Sequence, residues 1–142
     1  MLVRPAYGDV VAVLTGRVAS GLGDLSQWMV RYSLVYEQAT GTRLYPGSLN
    51  VVLEAPWSMR RPDVRLEASE VGVGMGFVRC HVDRFGCWIL RTDRNNSGRG
   101  SHGLDVLEVV AAVHLRTVLH VGDGDEVSLW LVRRTDPSPW RL

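Results

Sequence analysis

The chain contains no lysine; all 16 of its basic residues are arginine. No lysine can therefore contact phosphate here, as the P-loop lysine does, so anionic charge has to be met by arginine, backbone N–H groups or a metal ion. Net charge is nearly absent too. Sixteen arginines against 15 acidic residues leave +1, and no global field directs the chain to nucleic acid or a membrane surface. No stretch approaches the roughly 18 apolar residues of a membrane span. The first residues show no charged segment followed by a long apolar run, so no signal peptide is read and the cytoplasm is the expected compartment. Cysteine is scarce: Cys80 and Cys87 flank a turn at Asp83-Arg84-Phe85-Gly86. With Arg84-Phe85 as the two-residue loop, Cys80 faces Ile89 and Val82 faces Cys87, and two reduced thiols are expected over a disulfide. Neither the cysteines nor the histidines at 81, 102, 114 and 120 have metal-ligand spacing.

What remains is the composition of one globular domain: 142 residues, 46% apolar and 22% charged, enough to bury a core. A domain over 1–136 with a short tail at 137–142 is expected. Asp9 to Ala19 is valine-rich and reads as a strand, Ser26 to Val30 as a second short one. Tyr32, Val35, Tyr36 and Ala39 fall at i, i+3, i+4 and i+7, one face of a helix that Gly41 would end. Leu49, Val51 and Leu53 alternate with Asn50, Val52 and Glu54, a strand with one buried side. Residues 55–63 read as a surface connection. Val71 to Val82 and Cys87 to Arg91 read as a hairpin, Thr92 to Gly103 as a polar loop, Leu104 to Val113 as a strand. His114 to His120 suits one or two helical turns, and Glu126 to Arg133 is a final strand after the turn Gly122-Asp123-Gly124-Asp125. Many short strands and little helix favour a compact β-barrel.

Two stretches carry chemistry. Ser20-Gly21-Leu22-Gly23-Asp24 and Tyr45-Pro46-Gly47-Ser48-Leu49-Asn50 each join glycine to small oxygen-bearing side chains beside a strand. Glycine lets bare N–H groups approach an anion. Ser48 and Asn50, two apart in an extended segment, share a face and offer two hard neutral oxygens to a magnesium ion that phosphate also holds. Taken alone, each residue also has an ordinary reading: turn glycines, hydrogen-bonding turn residues, a surface Arg116, and an edge-strand position for Glu108.

In this order, Gly16 through Asp24, Tyr45 through Val51, Leu107 through Ala111 with Leu115-Arg116, and Leu119 through Val127 resemble the archaeal-type CTP-dependent riboflavin kinase family. The resemblance runs from about Thr15 to Val132. It implies a six-stranded barrel of the cradle-loop type that transfers the γ-phosphate of CTP to the 5′-hydroxyl of riboflavin, giving FMN and CDP. It also implies roles. Leu22, Gly23, Asp24, Leu25, Ser26 and Gln27 would wrap the nucleotide phosphates, and Val113, His114, Leu115 and Arg116 would complete the nucleotide site. Ser48 and Asn50 would bind Mg2+. Glu108 would serve the flavin side and orient the reacting hydroxyl, with Thr92 or Ser101 as the further flavin contact. Asp24-Leu25 stand where the family usually has Glu-Gly, and Ala112 where it has proline. The expected partners are riboflavin and CTP, with no nucleic acid, no membrane and a monomeric chain. The rival expectation is a non-catalytic barrel that keeps a flavin or nucleotide pocket.

Overall fold

Alternation along short strands decides which side chains enter the core and which are left for chemistry. In the computed structural model, which describes residues 9–21 and 25–133, β1 is Asp9–Ala19 and β2 is Leu49–Leu53. Three strands follow at Val64–Leu66 (β3), Met75–Val82 (β4) and Phe85–Thr92 (β5). The last two are Val106–Val110 (β6) and Glu126–Arg133 (β7). All pairings are antiparallel, in the order β3-β4-β5-β6-β2-β1-β7, and β4 also pairs with β7. That last pairing, Cys80 with Leu131 and His81 with Trp130, closes six strands into the expected barrel. β3 is an extra strand on the first half of β4.

The helices are short: α1 Leu25–Arg31, α2 Ser33–Thr40, α3 Ala68–Val71, α4 Asp93–Asn96 and α5 Leu115–Val118. None among the described residues is long and apolar enough to cross a membrane. One apolar cluster fills the barrel, with Leu49, Val51, Ile89, Leu107, Val109 and Leu129 at its centre. A second lies outside it, where Met29, Tyr36 and Val71 from the helices cover Phe77, Trp88, Leu90 and Val110. On β5 and β6 odd positions point into the barrel and even ones toward the helices.

Several expectations need correction. Ser26 to Val30 is not a strand but the middle of α1. Of these residues only Met29 is buried while Val30 stays 64% exposed, a one-sided burial that a helix against the second cluster achieves and a period-2 strand does not. The two cysteines do face each other, with Cys80 paired to Cys87 and Val82 to Phe85. Asp83 adopts φ 53, which an aspartate tolerates, so Asp83-Arg84 makes the turn and the register moves by two residues. Both thiols are free and buried, and burial pushes the Cys80 thiol well up. The first hairpin arm is shorter than read, because Val71 ends α3. The connection 55–63 is not all surface: Met59 is buried and its backbone exchanges hydrogen bonds with the Asn96 side chain at 2.8 and 2.9 Å. The tail 137–142 lies outside the described residues.

Candidate active site

The period of two that buries Leu49 and Val51 turns Asn50 outward, and the one that buries Leu107 and Val109 turns Glu108 outward. Asn50 pairs with Glu108 across β2 and β6, and Leu90 pairs with Glu108 across β5 and β6. The carboxylate thus stands on the outer face of the barrel beneath the helices, only 9% exposed. Ser48, two residues before Asn50, donates its hydroxyl to Asn50 Oδ1 at 2.9 Å, so the two oxygens lie side by side as their spacing predicts.

Three hollows meet at these residues. The largest, about 370 Å3, runs between α1, α2 and the loop after β5; its lining includes Trp28, Tyr36, Thr92, Ser101, His102 and Glu108. That volume is in the range of small-molecule sites. A second hollow of about 140 Å3 is lined by Gly21, Leu25, Ser26, Gly47, Ser48, Asn50 and Glu108. A third, about 30 Å3, lies between Gly47-Ser48 and the segment Val113 to Arg116. Leu25 and Glu108 belong to the first two hollows, and Gly47 and Ser48 to the second and third. The middle hollow offers a hydroxyl, an amide carbonyl and a carboxylate. All are hard oxygens, a donor set that fits Mg2+ and not a soft metal.

The loop from Thr92 to Val106 forms one wall. Thr92 caps α4, its Oγ1 accepting from the Asn95 N–H. The Arg91 guanidinium, 3% exposed, donates to the carbonyls of Trp57, Leu104 and Val106. Burial lowers its pKa, and these carbonyls are what make a buried guanidinium tolerable. The same wall brings His102 Nε2 to 3.4 Å from Glu108 Oε1. At the sequence level His102 lacks metal-ligand spacing, and its place, alone of the four histidines, in the polar loop Thr92 to Gly103 was the available signal. On the helix side Tyr36 has a buried hydroxyl with no hydrogen-bond partner among the described residues. Its pKa is pushed up to about 12, chiefly by burial and then by Tyr32 and Glu108.

The other wall is tied at its base. Arg116 donates to Ser20 Oγ at 2.9 Å and to Asp123 Oδ1 at 2.8 Å, and Ser20 donates to Asp123 as well. These contacts, Ser20 first, hold the Asp123 carboxyl below its usual range. The turn that sequence reading took as structural therefore braces the first glycine stretch. Of the expected phosphate-wrapping residues, Leu22, Gly23 and Asp24 lie outside the described residues. Leu25 and Ser26 line the middle hollow, and Gln27 is an exposed position on α1 that lines none of the three.

The closed barrel carries on its outer face a hollow, a pair of neutral oxygens and a carboxylate, which is the size and chemistry of a small-molecule site. The family model CTP-dep_RFKase, described as domain of unknown function DUF120, matches residues 18–131. A riboflavin kinase from Thermofilum pendens is 30% identical over 90% of this chain and 66% of its own length. One from Pyrobaculum calidifontis is 33% identical over 87% of this chain and 62% of its own; one from Methanococcoides burtonii is 26% identical over 86% and 58%. The chain belongs to the archaeal-type CTP-dependent riboflavin kinase family, and it spans less than two thirds of the length of these relatives.

Proposed function

We propose that this chain is a Mg2+-dependent riboflavin kinase with CTP as donor, forming FMN and CDP. The observation that carries the reading is the succession of three hollows joined through Leu25, Glu108, Gly47 and Ser48. Riboflavin would lie in the large hollow, the phosphates in the middle one and the rest of the nucleotide toward Val113 to Arg116. Phosphoryl transfer needs alignment and charge stabilisation more than covalent help from the protein, and such a line of hollows supplies alignment.

Ser48 and Asn50 would hold Mg2+, whose contribution there is neutralisation of phosphate charge. To bind the ion Ser48 would give up its hydrogen bond to Asn50 Oδ1, leaving both oxygens as ligands. Glu108 accepts a hydrogen bond from the 5′-hydroxyl and orients it. Thr92 or Ser101 would contact the flavin, and the segment Leu22 to Gln27 would wrap the phosphates. The active species is read as a cytoplasmic monomer that acts on small molecules and needs no nucleic acid.

Incubation of the purified protein with riboflavin, Mg2+ and each nucleoside triphosphate in turn tests this directly. FMN on chromatography, formed fastest with CTP, is the expected result. Turnover with another donor only would remove CTP from the reading. Riboflavin binding with no turnover from any donor would favour the non-catalytic barrel.

A further inference from the structure

The loop after β5 carries one histidine into the large hollow and sets it against the carboxylate. His102 Nε2 stands 3.4 Å from Glu108 Oε1, with the two side chains 14% and 11% exposed. The placement is built from several residues. The Thr92 cap fixes Asn95 at 3.2 Å, and Asn95 Oδ1 accepts from the His102 N–H at 3.3 Å. Gly100 passes so close that a Cβ there would lie 2.8 Å from the Asn95 nitrogen, so only glycine lets the loop fold back over α4. Arg91 ties down the far end of the loop through Leu104 and Val106. Thr92, Asn95, His102 and Glu108 all line the same hollow. The ring thus faces a cavity and a carboxylate instead of filling the core.

A carboxylate rotates readily about its last torsion, whose preferences are broad. Each neighbour that holds it narrows the orientations it offers a reacting hydroxyl, and misalignment at a reacting centre is expensive in rate. We infer that His102 is a positioning residue for phosphoryl transfer: its ring, with Nε2 3.4 Å from Glu108 Oε1, sets the carboxylate plane in which the riboflavin 5′-hydroxyl is held. This rests on the riboflavin kinase reading above. In the step so positioned, the hydroxyl oxygen bonds to the γ-phosphorus and the bond from that phosphorus to the β,γ-bridging oxygen breaks. CDP leaves with the electron pair, and the hydroxyl proton passes to the Glu108 carboxylate.

The test compares wild type, His102→Ala, His102→Gln, Glu108→Gln and the double variant His102→Ala/Glu108→Gln. FMN formation gives kcat, and quenching of riboflavin fluorescence gives binding. His102→Ala is expected to lower kcat by about 10- to 100-fold while riboflavin Kd moves by less than about 3-fold. His102→Gln, whose amide N–H reaches the place of Nε2, is expected to recover most of the rate. In the Glu108→Gln background, loss of His102 should cost little more. Should His102→Ala fail to fold, His102→Asn gives the same readout, since its amide is too short to reach Glu108. An unchanged kcat, equal losses in the Ala and Gln variants, or a loss confined to Kd would each overturn the role of His102 while leaving the kinase reading standing. A wild-type protein that makes no FMN from any donor would overturn both.

Discussion

The two walls of the site are secured in opposite ways. The wall from Thr92 to Val106, on the proposed flavin side, is fixed from beneath by the buried Arg91 and by Asn96, which bonds the backbone of Met59. The wall on the proposed nucleotide side is held at its base by Ser20, Arg116 and Asp123, whose side chains are wholly or partly open to solvent. A buried guanidinium that satisfies three carbonyls is costly to disturb, because each carbonyl then loses its partner out of reach of water. An exposed ion pair exchanges its partners for water or phosphate at little cost. The contrast suggests one wall preformed for a rigid ring system, and another whose arginine can change partners when a triphosphate arrives.

The sharpest way to break this contrast is Arg91→Met. It should destabilise the protein by about 3 kcal/mol, read from urea denaturation; a loss below about 1 kcal/mol would mean that the flavin-side wall is not clamped. Asn50→Ala comes next. It should leave stability nearly intact and cut Mg2+-dependent FMN formation about 100-fold, equivalent to about 2.7 kcal/mol in the barrier. Full activity would remove Asn50 from the metal assignment. Arg116→Gln addresses the soft wall: KM for the triphosphate should rise about 10-fold with riboflavin affinity unmoved, and a shift in riboflavin affinity instead would show that the walls are not independent. The smallest effect belongs to neither wall. Burial lowers the pKa of His81 from its ordinary 6.5, so the unfolded chain takes up its proton at a higher pH than the folded one. Stability from this residue is therefore full above pH 6.5 and declines as pH falls toward the folded-state value. Melting temperatures between pH 7 and 5 should follow that slope, and His81→Gln should flatten it.

What could be read from the chain was whatever is local. The alternation in Leu49 to Leu53, the helical spacing of Tyr32 to Ala39 with Gly41 at φ 73, and the Ser48–Asn50 neighbourhood all need only a few consecutive residues. What could not be read depends on distant partners. α1 buries Met29 against the second cluster on the outside of the barrel, a contact that a run such as Ser26-Gln27-Trp28-Met29-Val30 does not announce. The cysteine register hinged on one aspartate taking positive φ. The pairing of His102 with Glu108 needs a loop folded back by Asn95 and Gly100, and β3 exists only because the first half of β4 has an open edge. The expected site residues gather around the three hollows, apart from Gln27 and the undescribed Leu22 to Asp24.

The outward turn of Asn50 and Glu108 has an evolutionary consequence. Because the barrel interior carries none of the proposed chemistry, its sequence can drift as long as volume is kept, while a few outward positions on β2 and β6 and the loops beside them bear the selection for substrate. This chain and its Thermofilum pendens relative are 30% identical, a distance that such an interior can absorb. Altering what it binds would call for changes on the outer face alone, with the interior left as inherited.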